Sequence, residues 1–135
     1  MKSIIIFLML LFIISCKSRT EAEIYEESYL RPGTEGIVNR TELWKGGVLK
    51  IFIQNKSNKE EIVGVFNEYS ILEQIQPKDY LKKIENSNKI FITRKDSILY
   101  FDSISLERLN KNAYDSLSNV EQWDRNIVNK WTVIE

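Results

Sequence analysis

The 135-residue chain contains no histidine and one cysteine, Cys16. The commonest general base and the commonest zinc ligand are therefore missing. Catalysis would have to rest on carboxylates, serines, lysines or tyrosines. A pair of carboxylates can hydrolyse a glycosidic bond when a deep cleft holds them at fixed spacing. Asp79, Asp96 and Asp102 each stand beside a predicted turn, where Asp has a structural reason to be. No Ser-x-x-Lys or Gly-x-Ser-x-Gly frame occurs, and no calcium-loop spacing. Lys45-Gly46-Gly47 is a hairpin signal rather than a phosphate-cradling loop. Carboxylate oxygens are the only side-chain ligands left for a metal, and they are scattered, so neither metal nor cofactor is expected.

Aromatic side chains are the next candidates. Most of them must fill the core, because a domain without disulfides depends on that burial. Trp44, next to a turn, and Trp131, near the terminus, are the aromatics expected to be most exposed. With Tyr69 and Tyr80 they make up the candidate binding surface. Aromatic platforms of this kind bind oligonucleotides and oligosaccharides on small barrels. The 19 basic and 19 acidic residues balance, so no net field recruits nucleic acid.

The single cysteine has a different context. Met1-Lys2 is a basic head, and Ile4 to Ile14 is an unbroken apolar run that ends in Ile13-Ile14-Ser15-Cys16. The pattern is that of a secretory signal peptide, and the run is shorter than a spanning helix needs. Its ending resembles the lipobox of bacterial lipoproteins. That resemblance implies cleavage before Cys16, a diacylglycerol on its sulfur and an acylated amino group. Two or three acyl chains hold a protein at the membrane far more firmly than one. The resemblance also implies a cell-envelope location. Lys17, standing where Asp retains some Gram-negative lipoproteins at the inner membrane, points to the outer membrane. With Cys16 spent on lipid, no disulfide and no free thiol remain.

Two further patterns invite comparison. Asp96-Ser97-Ile98, Asp102-Ser103-Ile104 and Asp115-Ser116-Leu117 are similar to an O-glycosylation motif of some bacterial envelope proteins. That similarity would make Ser97, Ser103 and Ser116 sugar acceptors; the plain alternative is turn and cap chemistry. Gln76-Pro77-Lys78-Asp79-Tyr80-Leu81-Lys82-Lys83, followed by Asn86-Ser87, loosely resembles a pattern in small uncharacterised envelope lipoproteins. It implies a β domain and no activity.

The elements that must position these residues follow from periodicity. The sequence predicts a signal peptide over 1–15, a lipidated N-terminus and tether over 16–35, and one β-rich domain over 36–135. Within the tether, Glu21 to Leu30 has a thin apolar stripe that suits a short helix. Strands are expected at Ile37–Trp44, Val48–Gln54, Glu61–Phe66, Tyr80–Ile84, Lys89–Thr93 and Ser97–Phe101. Gly64 suggests a bulge. Ser70-Ile71-Leu72-Glu73 reads as a capping box opening a short connecting helix that Pro77 stops. Ile104–Leu109 fits strand or helix equally. A C-terminal helix is expected over about 112–128, capped by Asn112, with Ala113, Leu117, Val120, Trp123 or Asp124, and Ile127 on one face.

These elements predict a mainly β fold: a small OB-like or SH3-like barrel or curved sheet, with a short connecting helix and a C-terminal α-helix. The core is expected from Leu49, Ile51, Ile53, Val63, Val65, Phe91, Leu99 and Phe101. The functional expectation is a membrane-anchored, non-catalytic binding or accessory module for an envelope protein or glycan. The alternative is a small glycan-acting enzyme with a carboxylate pair.

Overall fold

The structure is a computed structural model and describes residues 18–117 and 130–133. Seven antiparallel strands form one sheet: β1 (Thr34–Leu43), β2 (Leu49–Asn55), β3 (Glu60–Val65), β4 (Tyr80–Lys83), β5 (Lys89–Arg94), β6 (Ser97–Asp102) and β7 (Trp131–Val133). Their spatial order is β3-β2-β1-β4-β5-β6-β7. The chain therefore makes one three-strand meander, crosses back to the free side of β1, and continues as a second meander.

The turns follow from residue type. Gly46 and Gly47 carry φ near +80°, so the β1–β2 connection can reverse within three residues. Lys95 takes φ +53° in the tight β5–β6 turn. Gly36 is required by proximity: a Cβ there would stand 2.2 Å from the Gln54 carbonyl oxygen of the neighbouring strand.

A barrel does not form. The sheet is open: its two meanders are joined along the β1–β4 ladder, and among the described residues the chain after β3 touches the chain after β6 through one parallel bridge, Phe66 to Ile104. Phe66 N–H donates to the Ser103 carbonyl at 2.7 Å, and Ser105 N–H donates to the Phe66 carbonyl at 2.8 Å. One bridge curls the sheet without closing its edges. The bend comes from a bulge between Val38 and Arg40 rather than from Gly64. Gly64 lies beside Tyr29, and a Cβ there would meet the Tyr29 ring only in ordinary van der Waals contact, at 3.5 Å.

Strand alternation sorts the core. Leu49, Ile51 and Ile53 of β2 face Val65, Val63 and Val38 across the ladders. Leu81 of β4 pairs with Ile92, which pairs with Leu99; Ile90 pairs with Phe101. All are buried in one cluster with Ile71, Leu72 and Ile75. Phe91, expected inside, lies on the opposite face and stacks on Tyr100 at 4.8 Å. Its neighbours Ile90 and Ile92 are fully buried in its place. A β5 strand with aliphatics at both even positions buries those two and turns the odd residue outward.

Among the described residues there are three short helices: α1 (Glu21–Tyr25, continued as a π-turn through Glu26–Leu30), α2 (Tyr69–Gln74) and α3 (Lys111–Leu117), which packs against α1. The expected capping box at Ser70 and Glu73 does not form. Helix α2 starts two residues earlier, with Glu68 at its N-cap, and Asn67 Oδ1 accepts from Glu68 N–H at 2.7 Å. A true capping box opens α1: Thr20 Oγ1 accepts from Glu23 N–H, and the Glu23 carboxylate accepts from Thr20 N–H. Helix α3 is capped by Asn110 rather than Asn112, its Oδ1 accepting from Ala113 N–H at 2.9 Å. Ala113 and Leu117 are buried as expected; Val120, Trp123, Asp124 and Ile127 lie outside the described residues. Ile104–Leu109 is neither strand nor helix throughout: Ile104 makes the bridge, and Leu106–Arg108 is a 3-10 turn.

Most of the segment assigned to a tether is folded. Tyr29 and Leu30 are buried with Ile104 and Leu117, while Ala22, Tyr25, Phe66 and Leu109 pack around them. Tyr25 and Tyr29 bracket Phe66 at 5.8 and 6.2 Å. The thin apolar stripe of α1 makes no core by itself, but it completes a second, smaller one beneath the bridge. No helix among the described residues is long and apolar enough to cross a membrane.

Candidate functional site

Among the described residues, two polar clusters and one exposed apolar end stand out as candidates for chemistry or binding. The first cluster surrounds Lys83, the last residue of β4, which is 4% exposed and points to the inner face. Its ammonium donates to the carbonyls of Leu30 at 3.2 Å, Pro32 at 3.0 Å and Ile84 at 2.7 Å, and to that of Ser87. No carboxylate pairs with it among these contacts. Burial pushes its pKa down to about 8. Lys83 also borders a shallow groove of about 340 Å³ between Thr34, Glu35 and Glu85. An amine of this pKa is a competent nucleophile in principle. Here its protons are committed to carbonyl oxygens, so it ties the α1–β1 connection and the β4–β5 loop to the sheet.

The second cluster is an ion pair between a buried carboxylate and a half-buried guanidinium. Asp79, 3% exposed, accepts from Arg94 Nε at 2.7 Å and from a terminal guanidinium nitrogen at 2.7 Å. It also accepts from Gln76 N–H at 2.8 Å. Arg94 reaches the Gln74 carbonyl at 2.9 Å and stacks on Trp131, 4.4 Å from the ring centre. The Asp79 carboxylate holds the guanidinium pKa above its ordinary value. The bidentate fork fixes the Pro77-Lys78 turn, where Lys78 carries φ +77°. Asp79 is thus occupied in holding a turn. Asp96 is exposed in the β5–β6 turn, and Asp102 is buried at the end of β6. Among the described residues no group of three His, Cys, Asp or Glu side chains is placed to hold a metal ion.

Two buried asparagines complete the framework. Asn88 acts as a surrogate strand partner: Nδ2 donates to the Ile104 carbonyl at 3.0 Å and Oδ1 accepts from Ile104 N–H at 2.9 Å. Asn67 Nδ2 donates to the Asp102 carbonyl at 2.6 Å. Together they hold the chain after β6 against the bridge. Sequence reasoning assigns no role to Asn88 or Asn67. The available signal was an Asn next to strands that needs an amide partner once buried.

The four candidate aromatics do not assemble into one platform. Trp44 follows β1 and is 51% exposed; Lys50 lies over its ring at 3.2 Å, and its indole N–H donates to Glu42 at 3.1 Å. That bond, with Arg40, holds the Glu42 carboxyl below its usual range. Tyr69 opens α2 and is 48% exposed. Tyr80 lies on the outer face opposite Ile37, and its hydroxyl donates to Glu35. Glu35 is held low first by its bond from Lys56, at 2.6 Å, and then by Tyr80. Trp131 pairs with Leu99 on the inner face and packs on the core. Tyr80 and Trp131 therefore sit on opposite faces. Trp44 and Tyr69 do share an end of the sheet, since Leu43 pairs with Leu49 and Leu49 with Val65. Leu43, 53% exposed, stands with them.

The three serines differ in access. Ser116 is exposed on α3, where its hydroxyl donates to the Asn112 carbonyl at 3.2 Å. Ser97 is half-buried at the start of β6. Ser103 is fully buried, so no sugar can be attached to it in the folded domain. Cys16 lies outside the described residues.

Comparison of the chain with family models, with curated proteins and with solved structures returns no match.

Proposed function

We propose that this chain is an envelope lipoprotein acylated at Cys16, whose domain is a non-catalytic binding or accessory module for an envelope protein or glycan. The observation that carries the reading is Lys2, the apolar run Ile4–Ile14 and the ending Ile13-Ile14-Ser15-Cys16. The domain supports the non-catalytic half. Two of its buried charged groups, Lys83 and Asp79, spend their hydrogen bonds on backbone groups and on Arg94. The exposed Leu43, Trp44 and Tyr69 at one sheet end supply the contact surface. Lys17 supports an outer-membrane address, and Ser116 is the exposed position for O-glycosylation, with Ser97 half-buried.

Cys16→Ser tests the anchor. The variant loses every acyl chain, and with them about 0.8 kcal/mol of membrane affinity per buried CH₂. The protein is expected to carry no metabolically incorporated fatty-acid analogue and to leave the membrane fraction. Wild-type protein without label at Cys16, or a variant that stays membrane-bound after signal removal, would overturn the reading. A photo-crosslinking residue in place of Trp44 tests the binding surface: a discrete adduct in the native envelope is expected there and not from Asp96, in the exposed β5–β6 turn.

A further inference from the structure

The folding of α1 leaves almost no tether between the domain and the proposed anchor. Thr20 is the N-cap of α1, and only Lys17, Ser18 and Arg19 separate it from Cys16. Fully extended, that stretch spans at most about 14 Å. The headgroup layer on one side of a bilayer is roughly 5–7 Å thick. An acylated Cys16 sits at the base of that layer, so Thr20 stands less than about 10 Å beyond the headgroups. A flexible chain over the whole of 18 residues would instead reach roughly 20–25 Å.

The structure also settles what stands beside Thr20. Asn110 donates to Glu21, so the start of α3 is fixed to the first turn of α1. Thr20, Glu21 and Ala22 line a common groove with Asn112, Ala113 and Ser116. Arg19 does not extend the link outward, because its guanidinium turns along α1 to Glu27. At this end Lys111 and Tyr114 are exposed, a cation and an amphipathic ring of the kinds that suit a headgroup layer.

Resting on the acylation of Cys16, we propose that the domain lies directly against the bilayer that holds its own acyl chains, with the first turn of α1 and the start of α3 facing the headgroups. The β5–β6 turn then points away. Residue 96 lies at the opposite end of β6 from Asp102 and the bridge, roughly 20 Å along the strand. The Leu43–Trp44–Tyr69 end remains free for a partner.

The test uses full-length acylated protein in phosphatidylcholine vesicles that contain a headgroup-nitroxide phosphatidylcholine. Cys16 is the only cysteine, so once it is acylated, Tyr114→Cys or Asp96→Cys supplies the single free thiol for a fluorophore. Both sites are exposed, and unchanged melting confirms folding. Quenching at position 114 is expected to exceed that at 96 by about threefold or more, as the nitroxide acts only over the headgroup layer. A 12-residue Gly/Ser insertion between Ser18 and Arg19 is expected to abolish the difference, since it adds roughly 20 Å of reach. Equal quenching at the two sites in protein that carries fatty acid would overturn the docked placement alone. A difference that survives the insertion would show that the domain docks by its own surface, overturning the short link as the cause. Absence of fatty acid on Cys16 would remove the anchor and this placement with it.

Discussion

Lys83→Met is expected to destabilise the domain by about 2–4 kcal/mol at pH 7, as the carbonyls of Leu30, Pro32, Ile84 and Ser87 lose their donor. Two effects compete. Met removes the cost of burying a charge, which the lowered pKa reports. It also strands carbonyl oxygens, each worth about 1–3 kcal/mol when left buried and unbonded. Several stranded acceptors outweigh one desolvated cation. The loss is local as well as global: α1 and the β1 start are tied to the sheet through Leu30 and Pro32, so amide exchange in 18–32 is expected to accelerate before that of the sheet.

The same residue fixes a pH dependence. Its folded pKa is about 8 and its ordinary value 10.5. Between these values the unfolded chain binds the proton and the folded domain does not. Wild-type stability therefore rises with pH over this window, by up to about 3 kcal/mol, and is lost again as pH falls through 8. Tyr25 opposes it higher up: burial and its bond to Glu21 raise its pKa to about 12, so stability falls above 10. The clean measurement is the difference between wild type and Lys83→Met from pH 8 to 10, by urea titration. That difference is expected to widen with pH. A constant difference would mean that the carbonyl ring holds the ammonium charged at its ordinary pKa.

Strands were legible because period-2 alternation is a local signal. Leu49, Ile51 and Ile53 alternate with Lys50 and Gln54, and that phase is the one observed. In β5 the signal failed: Ile90, Phe91 and Ile92 are all apolar, so nothing local says which faces in, and Phe91 was placed on the wrong side. The answer comes from pairing with Leu81 and Leu99, which is tertiary information. The choice between a closed barrel and a curved open sheet stays undecided in the sequence for a similar reason. Whether seven short strands make a barrel depends on the β3 and β6 ends, and these are joined by a single bridge that Asn67 and Asn88 brace through backbone bonds. No hydrophobic pattern encodes it. The α1 stripe was seen but given no partner, because Phe66, Ile104 and Leu117 converge on it from three distant stretches. For the site, exposure of Trp44 followed from its place by a turn. Burial of Ser103 did not, since an Asp-Ser pair reads as a surface turn until the chain beyond β6 is folded back.

The phase of β5 and the identity of the core can be measured together. Ile51→Ala and Ile92→Ala each empty a fully enclosed site, 1% and 0% exposed, between strands that pack on both sides. Each is expected to cost about 2–5 kcal/mol, the transfer loss plus the cavity left in a core that relaxes only in part. A domain of this size is stable by only about 5–15 kcal/mol, so the urea midpoint falls by a large fraction of its value. Phe91→Ala removes a larger side chain from the other face, where the ring is partly wet and its partner is the Tyr100 ring. Its stacking is worth about 0.5–1.5 kcal/mol beyond area, and the space it leaves fills with water rather than staying empty. The expected order is therefore Ile51→Ala and Ile92→Ala well below wild type, with Phe91→Ala between. Size alone would reverse that order, because Phe loses more surface than Ile. A Phe91→Ala midpoint at or below that of Ile92→Ala would put Phe91 inside and turn β5 over, and Ile51→Ala at the wild-type midpoint would remove β2 from the core.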